Sequence, residues 1–107
     1  MGQSNLEELH LNNNDITDIP SDAFAGLSNL YLLDLSYNSI SSLLNTPFDG
    51  LSSLYNLYLQ HNSISRIPSG TFSSNPISRL NLSENLLRSL RSDVIASISN
   101  IEYLYLS

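Results

Sequence analysis

The sequence predicts a solenoid, a chain wound into about four and a half stacked turns, each giving one short strand to a parallel sheet. Three observations carry this reading. Aliphatic side chains recur at fixed offsets with a period of 24 residues, an Asn stands at one of those offsets in every full copy, and a Phe closes the first three copies. Self-similarity at such a period marks units that cannot bury their apolar side alone and must stack.

The first copy places Leu6, Leu9, Leu11, Asn14, Ile16, Ile19, Phe24 and Leu27 at the repeating offsets. The second repeats them as Leu30, Leu33, Leu35, Asn38, Ile40, Leu43, Phe48 and Leu51, and the third as Leu54, Leu57, Leu59, Asn62, Ile64, Ile67 and Phe72. A fourth begins one residue early at Ile77 and continues through Leu80, Leu82, Asn85, Leu87, Leu90, Ile95 and Ile98. A fifth opens at Ile101 with Leu104 and Leu106. One array thus spans residues 1–107, with repeats 6–29, 30–53, 54–76, 77–100 and a partial 101–107.

Each element has its reason. Leu9 and Leu11 alternate with polar residues, the period of a strand with one buried face. Asn14, Asn38, Asn62 and Asn85 stand where the chain turns off the strand. A buried amide there satisfies backbone donors and acceptors and bridges to the next turn, so these residues are expected to be structural. Phe24, Phe48 and Phe72 should stack as a spine on the far side, with Ile95 in their place in the fourth copy. Pro20 and Pro68 favour an extended, non-helical return. The third copy lacks a Leu near position 75, where Asn75-Pro76 stands; a kink or weak point in the core is expected at 73–77.

The pattern LxxLxLxxNxIxx[IL] resembles the leucine-rich-repeat family over almost the whole chain. The 24-residue period, with Phe late in the copy and Gly26-Leu27-Ser28-Asn29 leading into the next, is similar to the typical subclass of animal cell-surface and secreted proteins. The resemblance implies an α/β-type horseshoe with short parallel strands on its concave face and an irregular, polyproline-II or 3-10 convex side. It also implies a protein or peptide ligand bound on the concave face, and an extracellular or cell-surface location. Gly2-Gln3-Ser4-Asn5 is in phase with Gly26-Leu27-Ser28-Asn29, so the first residues read as the tail of an earlier repeat. Polar caps are expected to be missing at both ends, which allows self-association through the exposed ends as an alternative function.

Composition narrows the partner. The net charge is −6, and all four bases are Arg. Residues 1–65 hold seven acids and no base, while 66–107 hold Arg66, Arg79, Arg88 and Arg91 against three acids. A chain without a basic stripe is not expected to bind nucleic acid or an anionic membrane surface. Cysteine is absent, so disulfides and thiolate metal sites are excluded.

The residues between the strand leucines should point outward. They include Glu7, Glu8, His10, Tyr31, Leu32, Asp34, Tyr37, Tyr55, Asn56, Tyr58, His61, Arg79, Asn81, Tyr103 and Tyr105. All six Tyr and both His fall in this set, and no Phe does. Tyr is enriched in interfaces because it buries a large ring at small entropic cost. The candidate binding residues are therefore Tyr31, Asp34, Tyr37, Tyr55, Asn56, Tyr58, His61, Arg79, Tyr103 and Tyr105. Tyr31, Tyr55 and Tyr58 form one cluster, Tyr103 and Tyr105 another, with Arg79 between them.

Enzymatic readings are weaker. His10 and Asp34 share a column on adjacent strands, and with Ser36 a triad can be drawn, yet an open sheet supplies neither oxyanion loop nor pocket. No cofactor, metal or catalytic residue is expected. Asn81-Leu82-Ser83 matches a glycosylation sequon, but lies in a strand of the expected binding face and reads as a chance match.

Overall fold

The computed structural model describes residues 5–87 and 101–106. Five strands form one parallel sheet in sequence order: β1 (Glu8–His10), β2 (Leu32–Asp34), β3 (Asn56–Tyr58), β4 (Arg79–Asn81) and β5 (Tyr103–Tyr105). The register follows the repeat. Leu9, Leu33, Leu57, Leu80 and Leu104 stand opposite one another in turn. The short spacing between Leu57 and Leu80 leaves this register intact. The deletion is therefore absorbed away from the sheet.

The strands are short because each repeat needs only one fully inward residue there before the chain turns. Leu33, Leu57 and Leu80 are completely buried, while their strand neighbours are half-exposed. Burying each such side chain contributes on the order of 1.5–3 kcal/mol. Main-chain bonding continues past the strands: Leu35 N–H donates to Tyr58 O at 2.9 Å, and Leu59 N–H to Asn81 O at 2.9 Å.

The amide ladder sits at the turn. In Asn62, Nδ2 donates to Leu35 O (3.0 Å), Leu59 O (3.1 Å) and Gln60 O (3.4 Å), and Oδ1 accepts from Ile40 N–H at 3.0 Å. Asn38 does the same toward Leu11 and Ile16, and Asn85 toward Leu59 and Ile64. Among the described residues, Asn14 bonds only within its own turn, to Leu11 O and Asn12 O, and it is exposed. One amide thus closes its own turn and ties it to the previous one, as buried polar groups require.

On the far side, Phe24, Phe48 and Phe72 stack with ring centroids 6.4 and 5.9 Å apart and planes within 16°. The chain around them runs in single turns bonded from residue i+3 back to i. Pro20 O accepts from Ala23 N–H, and Pro68 O from Thr71 N–H, so both prolines open a turn after the extended stretch. The expected Ile95, with residues 88–100 as a whole, lies outside the described residues.

At the expected weak point, 73–77, a buried polar side chain stands in for the missing aliphatic one. Asn75 takes the place of Leu27 and Leu51: its N–H donates to Phe72 O, as theirs do to Phe24 O and Phe48 O. Its side chain is buried and its Nδ2 donates to Phe48 O (2.9 Å) and Leu51 O (3.0 Å). The neighbouring Phe72, Ile77 and Leu80 are sealed. A polar clamp to the preceding turn replaces the missing aliphatic contact, although Asn75 Oδ1 is left without a partner.

Candidate functional site

The parallel register builds the outer face of the sheet as columns. One column reads Glu8, Leu32, Asn56, Arg79, Tyr103, and the other His10, Asp34, Tyr58, Asn81, Tyr105. Just before the strands, Tyr31 and Tyr55 are bonded in sequence, Tyr55 N–H donating to Tyr31 O at 3.0 Å. None of the six tyrosines is buried. Tyr37, Tyr55, Tyr103 and Tyr105 are about half exposed or more, while Tyr31 and Tyr58 are intermediate.

Two tyrosine clusters were expected with Arg79 between them, and Arg79 joins them. Its guanidinium carbon lies 4.6 Å from the centre of the Tyr103 ring. The neighbouring Tyr58 hydroxyl draws the guanidinium above its ordinary pKa; partial desolvation opposes it, and the nearby Tyr105 and Tyr103 hydroxyls act in the same direction as Tyr58. Arg79 Nε is shielded from solvent and has no hydrogen-bond partner. Among the described residues, no carboxylate forms an ion pair with Arg79.

A second network sits at the β1 end. The Tyr31 hydroxyl donates to Glu8 Oε2 at 2.6 Å, and His10 Nε2 lies 3.0 Å from Glu8 Oε1. The Tyr31 bond and then the His10 contact hold the Glu8 carboxyl below its usual value, and the same carboxylate raises the Tyr31 phenol. The imagined pairing of His10 with Asp34 is therefore corrected: His10 turns to Glu8 on its own strand. Asp34 Oδ1 accepts from Ser36 N–H (3.0 Å) and Ser36 Oγ (2.6 Å), and Ser36 is buried. Serine and carboxylate close a local turn, and Asn81 does the same with Ser83 N–H.

Tyr37 and His61 belong to the face but not to the strands. They occupy the turn just before the ladder amides, where Asn13, Tyr37, His61 and Glu84 all have φ between 57° and 62°. That geometry aims each of the first three N–H groups at the next turn, as in Tyr37 N–H to Gln60 O at 3.0 Å. Left-handed backbone suits Asn and is costly for Tyr and Glu. The two rings stack, centroids 4.3 Å apart and 12° from parallel, as a rim beside the columns. Sequence reasoning did not single out Glu8 as the hub of its network; the visible signal was a His two residues on, a spacing that shares one strand face.

The family profile described as leucine rich repeat matches residues 4–64 and 52–107. The chain belongs to the leucine-rich-repeat family. Its structure is similar to that of internalin C2 from Listeria monocytogenes, with a TM-score of 0.79 and 35% identity over 97% of this chain and 43% of that one. It is also similar to a leucine-rich-repeat protein of Leptospira interrogans (TM-score 0.79, 28% identity, 96% of this chain and 26% of that one). A third likeness is to the leucine-rich-repeat domain of APL1B (TM-score 0.80, 27% identity, 94% and 32%). The chain therefore spans less than half the length of these three leucine-rich-repeat structures. No curated protein sequence matches it. Leucine-rich repeats serve generally as protein-interaction scaffolds, and this chain carries that scaffold.

Proposed function

We propose that this leucine-rich-repeat segment recognises a protein or peptide on the outer, concave face of its sheet, and that it is not an enzyme. The observation that carries the reading is the partition of aromatic side chains. Every Phe is buried in the spine and every Tyr stands at least partly exposed on the sheet side. Rings with a polar tip, held in register by a rigid ladder, give large contact area at low entropic cost. Asp34 and Ser36 are engaged with each other in a turn, which supports a binding role over a catalytic one. Nucleic acid and anionic membranes are unsuited partners for a face whose β1 end carries Glu7, Glu8 and Asp34. A cell-surface or secreted location accords with a receptor-like role.

The test is replacement of Tyr55 and Tyr58 by Ala in a binding assay with a partner isolated from a display library. Loss of affinity by about tenfold or more is expected for central aromatic anchors. Unchanged affinity would remove the sheet face from consideration.

A second reading is self-association, with a second copy seated on the half-open apolar groove of about 230 Å³ lined by Leu11, Ile16, Ile19, Pro20, Phe24 and Leu35 among others. Sedimentation across a concentration series separates the two, since self-association must strengthen with concentration.

A further inference from the structure

Arg79 stands apart from Glu8 and Asp34 on the sheet face. Glu8 is engaged by Tyr31 and His10, and Asp34 by Ser36. Arg79 lies 4.6 Å over the Tyr103 ring, with no ion-pairing carboxylate among the described residues. Its Nε is shielded from solvent, so a ligand would meet the outer amino groups of the guanidinium. A guanidinium fixed in position by aromatic neighbours is preorganised for a planar anion, because little side-chain freedom is lost on binding.

We infer that Arg79, with Tyr58, Tyr103 and Tyr105, is a seat for a side-chain carboxylate of an extended peptide lying across the strands, whose basic residue rests over Glu7 and Glu8. This rests on the sheet face being the contact surface. Geometry sets the spacing. Arg79 in β4 and Glu8 in β1 are three strand intervals apart, about 14 Å at the usual inter-strand distance. An extended peptide advances about 3.3 Å per residue, so acid and base should stand about four residues apart. The charge selects a carboxylate over a phosphate. A single guanidinium balances a monoanion, whereas a dianion would be repelled by a chain of net charge −6 with three acids at the other end of the same face. Unshifted glutamates are already ionised at neutral pH, so that end is anionic.

The experiment is selection of random twelve-residue peptides displayed on phage against the whole chain, followed by fluorescence polarisation with the enriched peptides. Enriched peptides should carry Asp or Glu with Lys or Arg three to five residues away. Their affinity should fall about tenfold or more on Arg79→Gln, less on Arg79→Lys, and weaken steeply with salt. Changing the peptide's acid to its amide, against the unaltered protein, should cost the same as Arg79→Gln and does not depend on how the variant folds. Peptides that lose affinity on Tyr55→Ala but bind Arg79→Gln and the amide form unchanged would overturn the seat and leave the face standing. Peptides indifferent to both protein variants would overturn both. Enrichment without an acid, or no enrichment at all, also overturns the seat.

Discussion

Replacing Asn62 by Ala removes a side chain that is bonded to two turns at once in the middle of the ladder. Ile40 N–H loses its acceptor and has no other. The three carbonyls each keep one partner: Leu35 O retains Asn38 Nδ2, Leu59 O retains Asn85 Nδ2, and Gln60 O retains Tyr37 N–H. One orphaned buried donor costs about 1–3 kcal/mol, and each of three lost bonds about 0.5–1 kcal/mol. The expected loss is about 2.5–6 kcal/mol, a large share of the ~5–15 kcal/mol that holds an ordinary domain. Asn14→Ala is the internal control. That residue is exposed and bonds only within its own turn, so about 1 kcal/mol or less is expected. Urea titration followed by circular dichroism should show a far lower midpoint for Asn62→Ala than for Asn14→Ala. Equal midpoints would refute the idea that the amides work by bridging turns. Asn62→Asp sharpens the test: a buried carboxylate facing three carbonyl oxygens favours its protonated form, so that variant should regain stability as pH falls.

Other consequences can be checked independently. Glu8 titrates below its ordinary value of 4.5 because Tyr31 and His10 bond its carboxylate; Tyr31→Phe should move its NMR midpoint upward, and an unmoved midpoint would contradict the assignment. The sign follows from a folded pKa lowered relative to the unfolded chain: the stability contribution is present above about pH 4.5 and lost as pH falls through the folded value. Thr46 is β-branched with φ of 46°, whereas Gly70 fills the corresponding place one repeat later with φ of 82°. Thr46→Gly should therefore raise stability by about 0.5–1 kcal/mol in a thermal melt, and a loss would show that the strain is compensated. Tyr37→Asn relieves the same kind of strain at φ 58° but breaks the stack on His61. It should leave stability within about 1 kcal/mol, while the His61 ring-proton shifts move toward solvent values on loss of the ring current.

Much of the fold was legible because one constraint repeats. Leu33, Leu57 and Leu80 had to be inward once their alternation with polar residues was seen, and the stacked register then fixed which outward residues share a column. The amide ladder was legible for the same reason, since every turn off a strand leaves the same backbone groups to satisfy. What the sequence did not disclose lies where side-chain torsions choose among neighbours. His10 had a carboxylate across the sheet in Asp34 and another on its own strand in Glu8, and column adjacency alone favoured the wrong one. Tyr37 and His61 sit among outward residues by count, but the left-handed turn that stacks them is a backbone state carried by the repeat rather than by Tyr or His themselves. Asn75 was read as a defect because Asn-Pro signals a turn. The carbonyls of Phe48 and Leu51 that receive its amide come from another turn of the chain.

The proposed landing site for a partner is the tyrosine-bearing face of the sheet. Amide hydrogen exchange and tyrosine-ring NMR on the chain with a bound partner would test it most directly. Protection and ring-shift changes are expected at Tyr31, Tyr55, Tyr58, Tyr103 and Tyr105, with the Phe24, Phe48 and Phe72 turns unaltered. Protection confined to those turns, with the tyrosine signals unmoved, would contradict it.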